Sequence, residues 1–453
     1  MESILNINYI NQSKDELIKQ KNEGFKLIKL KENIKIKRKK KSKFKLIYFI
    51  IFILIISIST VISLLFINFK GTIKIKKYKP TKEDIYIQEK FPPLKESFDN
   101  AKSFLDKCLK GIIINNQSLK FSENPKISAI ITVHNCQKTV SRAIKSIQNQ
   151  NISDIEIILV NDFSTDNTSS IIEEVRKQDP RIKIINNKKN MGTYYYRSIG
   201  VLSSKGEYIF HLDNDDMILD FDSFSTIVNI ADKGNFDIVS FREIFAHHGP
   251  NLLTASIMEN YFSDHVHNLV LFQPDLGLYA FRPSTLGKFI VTDSYIWTKC
   301  AKTSIYQKVV QKVGEERYKR YMVLDEDRTD IYALYNTAES MKYLGKYAYL
   351  KIQTPASMTW RIHPKSESFI CRLYFIDISI DFSKDTFKSK EVLVYFITYL
   401  MDHPAMKEVI TSSEYHEKLF ISCMNRILNS KYISNEYKEE LRKRVAKLDY
   451  LKH

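Results

Sequence analysis

The sequence predicts an α/β protein: a mostly parallel sheet with helices on both faces, preceded by one transmembrane helix and followed by a helical C-terminal region. Three observations carry this. From Lys126 onward, short apolar runs alternate with amphipathic helical stretches, the pattern of a sheet covered on both faces. Residues 46–69 form an uncharged apolar stretch. After Arg372, apolar residues such as Leu393, Tyr395, Phe396, Tyr399 and Leu400 recur on one helical stripe.

The N-terminal elements follow from charge. The chain has 453 residues and a formal net charge of +17. Residues 1–45 carry 14 Lys/Arg against 5 Asp/Glu, residues 70–79 add five Lys, and the remaining 374 residues outside 46–69 hold only +3. The basic excess therefore brackets the 24-residue stretch Leu46–Phe69. About 20 apolar residues span a bilayer, and a cleaved signal peptide has a shorter apolar core starting near residue 1. A retained membrane helix with basic flanks is expected, and no nucleic-acid groove. The run Lys35–Lys45 is denser than the lysines at 70–79, so residues 1–45 are expected in the cytosol and the rest across the membrane. That makes a type II single-pass protein, in the Golgi or another secretory-pathway membrane, with a lumenal domain. Residues 70–123 read as a stem. With 44% hydrophobic residues, 12 Gly and 11 Pro, the chain is neither wholly disordered nor collagen-like. Five scattered cysteines show no zinc or redox spacing.

In the α/β region the spacing predicts strands over Ile127–Val133, Ile155–Val160, Arg181–Ile185 and Glu207–Leu212, with helices over Thr139–Gln148, Ser169–Gln178 and Tyr194–Leu202. Ligands of such sheets bind beyond the carboxyl ends of the strands. Those ends are polar here: Thr132-Val133-His134-Asn135, then Asn161-Asp162-Phe163-Ser164-Thr165-Asp166, then Asp213-Asn214-Asp215-Asp216. A carboxylate at Asp162 can accept from a base N–H or a ribose hydroxyl. Carboxylates one residue apart repel unless a cation lies between them, and hard oxygen donors suit Mg2+ or Mn2+ bridging to a diphosphate. Taken alone, the last tetrapeptide is an ordinary solvated turn; its place at the end of an apolar strand changes that.

These motifs together resemble family 2 of the inverting glycosyltransferases, which have a GT-A fold. KISAIITVHN resembles the first strand and its P-V-Y-N end, with Thr132 for Pro. VNDFSTDNT resembles V-D-D-G-S-T-D-x-T, with Asn161 for Asp and Phe163 for Gly. Asn190-Met191-Gly192 with Arg197, Ser198 and Gly200 resembles N-x-G-x-x-x-A-R-N-x-G, and HLDNDDMI resembles F-L-D-S-D-D. More thinly, Trp297–Lys302, Glu326-Asp327, Tyr347-Ala348-Tyr349 and Ser357-Met358-Thr359 resemble the segments that follow, with Asp330 in place of an apolar residue and Lys351 in place of Arg. On this resemblance the transferase domain spans 124–370, and 371–453 is a helical C-terminal region.

The resemblance implies a nucleotide-sugar donor, a UDP-sugar first among the choices, and a hydroxyl of a glycan, glycoprotein or glycolipid as acceptor. It implies that Thr132, Val133, Asn135, Asp162, Arg197 and Asp213 hold the nucleotide, that Asp213 and Asp215 hold Mn2+ or Mg2+, and that Asp327 is the catalytic base with Glu326 beside it. His363 is a weaker candidate for a metal or phosphate contact. The alternative is a catalytically silent relative that binds nucleotide sugar or glycan as a membrane scaffold. Asp162, Asp213, Asp215 and Asp327 speak for the transferase.

Overall fold

The computed structural model describes residues 91–113, 119–247, 295–353, 364–383, 400–431 and 433–448, with short backbone stretches between 256 and 291 and isolated positions from 393 to 398. The expected transmembrane helix, the cytosolic tail and His363 lie outside the described residues, and among those described no helix is long and apolar enough to cross a membrane.

The expected α/β half is present. Strands β1 (Ile127–Val133), β2 (Ile155–Asn161), β3 (Ile182–Asn186) and β4 (Tyr208–Asp213) alternate with helices over Val140–Gln148, Thr168–Gln178 and Thr193–Ser203. The strands pair in parallel in the order β3-β2-β1-β4. They are continuous apolar runs because both faces are covered, and β2 is buried at every position. The helix Thr193–Ser203 lies so close to β1 that a Cβ on Gly200 would meet Ile130 Cγ2 at 2.6 Å.

Beyond β4 the sheet is mixed rather than mostly parallel. A four-residue strand, β11 (Lys299–Lys302), runs antiparallel between β4 and β6 (Ile238–His247). Strand β12 (Ser340–Gln353) then pairs parallel with β6 and antiparallel with the two-residue β5 (Met217–Ile218). Short strands β7 (Ser256–Glu259) and β8 (Val270–Phe272) pair antiparallel with β6 and β12, and β9 (Phe281–Pro283) and β10 (Phe289–Val291) form a separate hairpin. The physical reason is local: a gap between β4 and β6 is filled from the far side by Cys300, which pairs with both Phe210 and Val239.

Two expected boundaries also differ. Within the stem segment, Leu94–Leu109 forms a helix, α1, whose Phe98, Ala101, Leu105 and Cys108 are buried against Met217, Ile244 and Leu350. Its i, i+3, i+7 spacing makes one apolar face, which packs on the sheet. The transferase boundary at 370 falls inside a helix, α9 (Lys365–Phe382), which packs on α8 (Glu326–Thr337). The polar face of α9 is pinned by Asp377 to Arg320 at 2.7 Å and to Arg426 at 2.9 Å, the latter from a helix over Glu414–Leu428. All five cysteines are unpaired and buried.

Candidate active site

The register of the sheet gathers the polar strand ends. Thr132 of β1 faces Val160 of β2 on one side and Asp213 of β4 on the other. Three strand ends therefore meet along one rim. Asn161, which stands where the resembled pattern has Asp, donates through Nδ2 to Asn186 Oδ1 at 2.9 Å and Ser169 Oγ at 3.0 Å, while its Oδ1 accepts from the Ser164 N–H. A carboxylate could not donate, so the amide here ties β2 to β3.

Thr132, Val133 and Asn135 reach the rim, but their polar groups join its loops. The Thr132 carbonyl accepts from Asn214 Nδ2 at 2.7 Å and the Val133 carbonyl from the Asp162 N–H at 2.8 Å. Asn135, in left-handed backbone with φ 48°, accepts the Thr165 N–H at 2.8 Å. Asp162 is buried and its carboxylate accepts the Met191 N–H at 3.2 Å. Burial lifts it to about 6 against the pull of the Met191 and Gly192 amides. Gly192 has φ 87° and leaves no room for a Cβ beside the Met322 backbone, 3.1 Å away, so this turn requires glycine.

The acidic trio Asp213, Asp215 and Asp216 has carboxylate oxygens within 4.8 Å of one another. Its members differ. Asp216 is fully buried and engaged by the Tyr349 hydroxyl at 2.7 Å and the Ile352 N–H at 2.8 Å. Asp213 accepts from Lys351 Nζ at 2.8 Å, and the same ammonium lies 2.9 Å from Asp216 and 4.4 Å from the centre of the Trp297 ring. Asp215 is held by its own backbone N–H and, among the described residues, by no ion pair; its carbonyl accepts from Arg142 at 2.6 Å. Burial pushes Asp216 up to about 8. Asp213 is half-buried, and Lys351 and Arg197 outweigh the desolvation and hold it at about 2. The oxygen-only donor set of Asp213 and Asp215 fits a hard divalent cation, with Asp216 bracing the loop behind them.

Asp327 and Glu326 open α8 and come to the same place. Arg197, 4% exposed, donates to Asp327, lies 3.4 Å from Asp213 and 3.7 Å from Glu326. It links the expected base to the acidic trio across 130 residues of sequence. Burial raises Glu326 to about 8, with Asp327 adding to it. Burial also raises Asp327, opposed by Arg197. One turn further along α8, Asp330 is buried within the field of Arg197, and burial pushes it up to about 7. The sequence reading noted Lys351 and Asp330 only as departures; a Lys inside the apolar strand Tyr347–Ile352 was the available signal that it pairs with carboxylates.

A parallel-sheet rim that carries a buried carboxylate, an acidic trio suited to a cation and a raised carboxylate pair is an arrangement that can support group transfer. Residues 128–270 match the sequence model of glycosyl transferase family 2. The GalNAc(5)-diNAcBac-PP-undecaprenol beta-1,3-glucosyltransferase of Campylobacter jejuni is 38% identical over 111 residues, 24% of this chain and 36% of that protein. The cholesterol galactosyltransferase of Borreliella burgdorferi is 26% identical over 242 residues, 52% of this chain and 62% of that protein. Both matches cover less than two thirds of the relative. Among solved structures, S. aureus TarS 1-349 in complex with UDP-GlcNAc aligns at 15% identity and TM-score 0.48, over 71% of this chain and 87% of that one.

Proposed function

We propose that this chain is an inverting glycosyltransferase that moves a sugar from a UDP-sugar to an acceptor hydroxyl. The observation that carries the reading is the convergence of Asp162, the Asp213–Asp216 turn and Glu326-Asp327 on one rim, the last two bridged by Arg197. In this reading Asp162 accepts a hydrogen bond from the nucleoside. Asp213 and Asp215 hold the Mn2+ or Mg2+ that, when bound, neutralises charge on the departing diphosphate. Asp327 takes the proton from the acceptor hydroxyl as it attacks opposite the leaving group. For that, Asp327 must exchange its contact with Arg197 for the acceptor, which frees the guanidinium to turn toward the diphosphate. Glu326, raised by burial and by its neighbour Asp327, stands beside the base as a second contact for the acceptor.

The proposal extends to a membrane tether at residues 46–69 with the transferase domain across the bilayer from residues 1–45. Protease protection in intact vesicles tests that orientation: residues 1–45 are cleaved and the domain is shielded. Turnover tests the chemistry. The full-length protein is incubated with UDP-sugars and glycan or lipid acceptors, with and without Mn2+, and UDP release is measured beside transfer. Asp215→Asn and Asp327→Asn should each abolish transfer. Donor binding without turnover on any acceptor panel, unaffected by Asp327→Asn, would return the protein to a binding role.

A further inference from the structure

Phe163 follows Asp162 directly and holds a left-handed φ of 54°. A bulky side chain rarely adopts that conformation, and glycine does so freely. The resembled family pattern has glycine at this place. Nor does packing explain the ring, since Phe163 is 51% exposed. A strained residue that gains little from burial is kept where the strain serves a ligand. A second aromatic side chain stands at the same carboxylate. Tyr321 is 50% exposed, and its Cδ2 lies 3.3 Å from the Cβ position of Gly192, in the turn whose amides hold Asp162. Burial raises the Tyr321 hydroxyl, and the charges of Glu367 and Asp162 add to that, so the ring reaches within the field of the Asp162 carboxylate.

We infer that Phe163 and Tyr321 form the aromatic walls of the donor's nucleobase site, with Phe163 stacking on the base whose N–H reaches Asp162. The occupant follows from the layout. The ends of β2 and β4 lie two strand spacings apart, about 10 Å, so one extended nucleotide can set its base at Asp162 and its diphosphate at Asp213 and Asp215. This inference rests on the donor reading proposed above.

The test is calorimetric titration of the full-length protein with UDP plus Mn2+, and with inorganic pyrophosphate plus Mn2+ as a ligand without a base. Phe163→Ala and Phe163→Gly should each weaken UDP about tenfold, the scale of one aromatic–base stack, and leave pyrophosphate within twofold. Phe163→Trp should restore UDP binding to within threefold. Tyr321→Ala should weaken UDP by a smaller factor. A rise in the urea midpoint of Phe163→Gly together with its loss of UDP affinity would support the view that the strained ring is kept for the ligand. UDP affinity unchanged in both Phe163→Ala and Phe163→Gly overturns the inference while leaving the donor site intact. A wild-type protein that binds neither UDP nor GDP overturns the donor reading and this inference with it.

Discussion

Lys351→Met removes the ammonium that bridges Asp213 and Asp216, at 2.8 and 2.9 Å, and keeps a chain of similar length. Asp213 sits at about 2 instead of 3.8, a stabilisation of about 2 kcal/mol shared between Lys351 and Arg197. Breaking a buried pair by removing one partner costs about 3–5 kcal/mol when the other is left uncompensated. Here Asp216 keeps the Tyr349 hydroxyl and the Ile352 N–H, and with a value near 8 it is largely neutral at pH 7 and needs no counter-charge. The expected loss is therefore about 2–4 kcal/mol at pH 7, a fall in melting temperature of roughly 3–5 °C for a unit of this size. The sign of the pH dependence follows from Asp213. Its folded value lies below its unfolded one, so its contribution is present above pH ~4 and is lost as pH falls through about 2. In the variant Arg197 alone holds Asp213 down, and the acid limb of unfolding moves to higher pH. Mn2+ offers a replacement charge at the trio and should raise the variant's midpoint more than that of the wild type. Thermal and urea unfolding of both proteins at pH 4 to 8, with and without Mn2+, measures all three effects. A variant as stable as wild type in the absence of cation would refute the reasoning, as would an equal Mn2+ shift in both.

Asp327→Asn should lower kcat by about 10²–10⁴ with UDP affinity within twofold, read by turnover and titration. Because burial raises Asp327 while Arg197 opposes the rise, kcat should fall on acidification with an apparent pKa above the ordinary carboxylate value, and Arg197→Met should move that limb to higher pH; a pH–rate profile checks both. Asp330 sits at about 7 when folded, so its contribution to stability is greatest below pH ~4 and is lost as pH rises toward 7; Asp330→Asn should flatten the decline in urea midpoint between pH 5 and 8. Gly200→Ala would put a Cβ 2.6 Å from Ile130 Cγ2 and should cost about 1–3 kcal/mol by overpacking, measured by urea unfolding.

The parallel half of the fold was legible because its strands announce themselves. Ile127–Val133 and Ile155–Asn161 are unbroken apolar runs between helices with clear periodicity, and a strand buried on both faces can be little else. The antiparallel half was not, because β11 has four residues and β5 has two, too few to carry a period. Helix α1 had its signal in Phe98, Ala101, Leu105 and Cys108, hidden by a Lys- and Pro-rich approach that reads as linker. At the site, Asp162, Asp213, Asp215, Glu326 and Asp327 were legible by motif and do share one rim. Lys351 and Asp330 were visible only as departures, since a sequence does not say which carboxylate a buried charge will meet. Conversely, Thr132, Val133 and Asn135 match a motif, but their carbonyls and amide hold loops together.

The late arrival of β11 has a consequence for how the chain is made. By the time Asp213 leaves the ribosome, β1 to β4 can already pair, yet β4 remains an open edge until Lys299–Lys302 emerges. At about 5–20 residues per second, those roughly 85 residues take about 4 to 17 seconds. For longer still, the nascent domain carries Asp213, Asp215 and Asp216 with no Lys351 to sit between them. During that interval Arg197, already synthesised and 3.4 Å from Asp213 in the finished fold, and any free divalent ion are the counterweights to the carboxylates at the tip of a half-built sheet with an exposed edge.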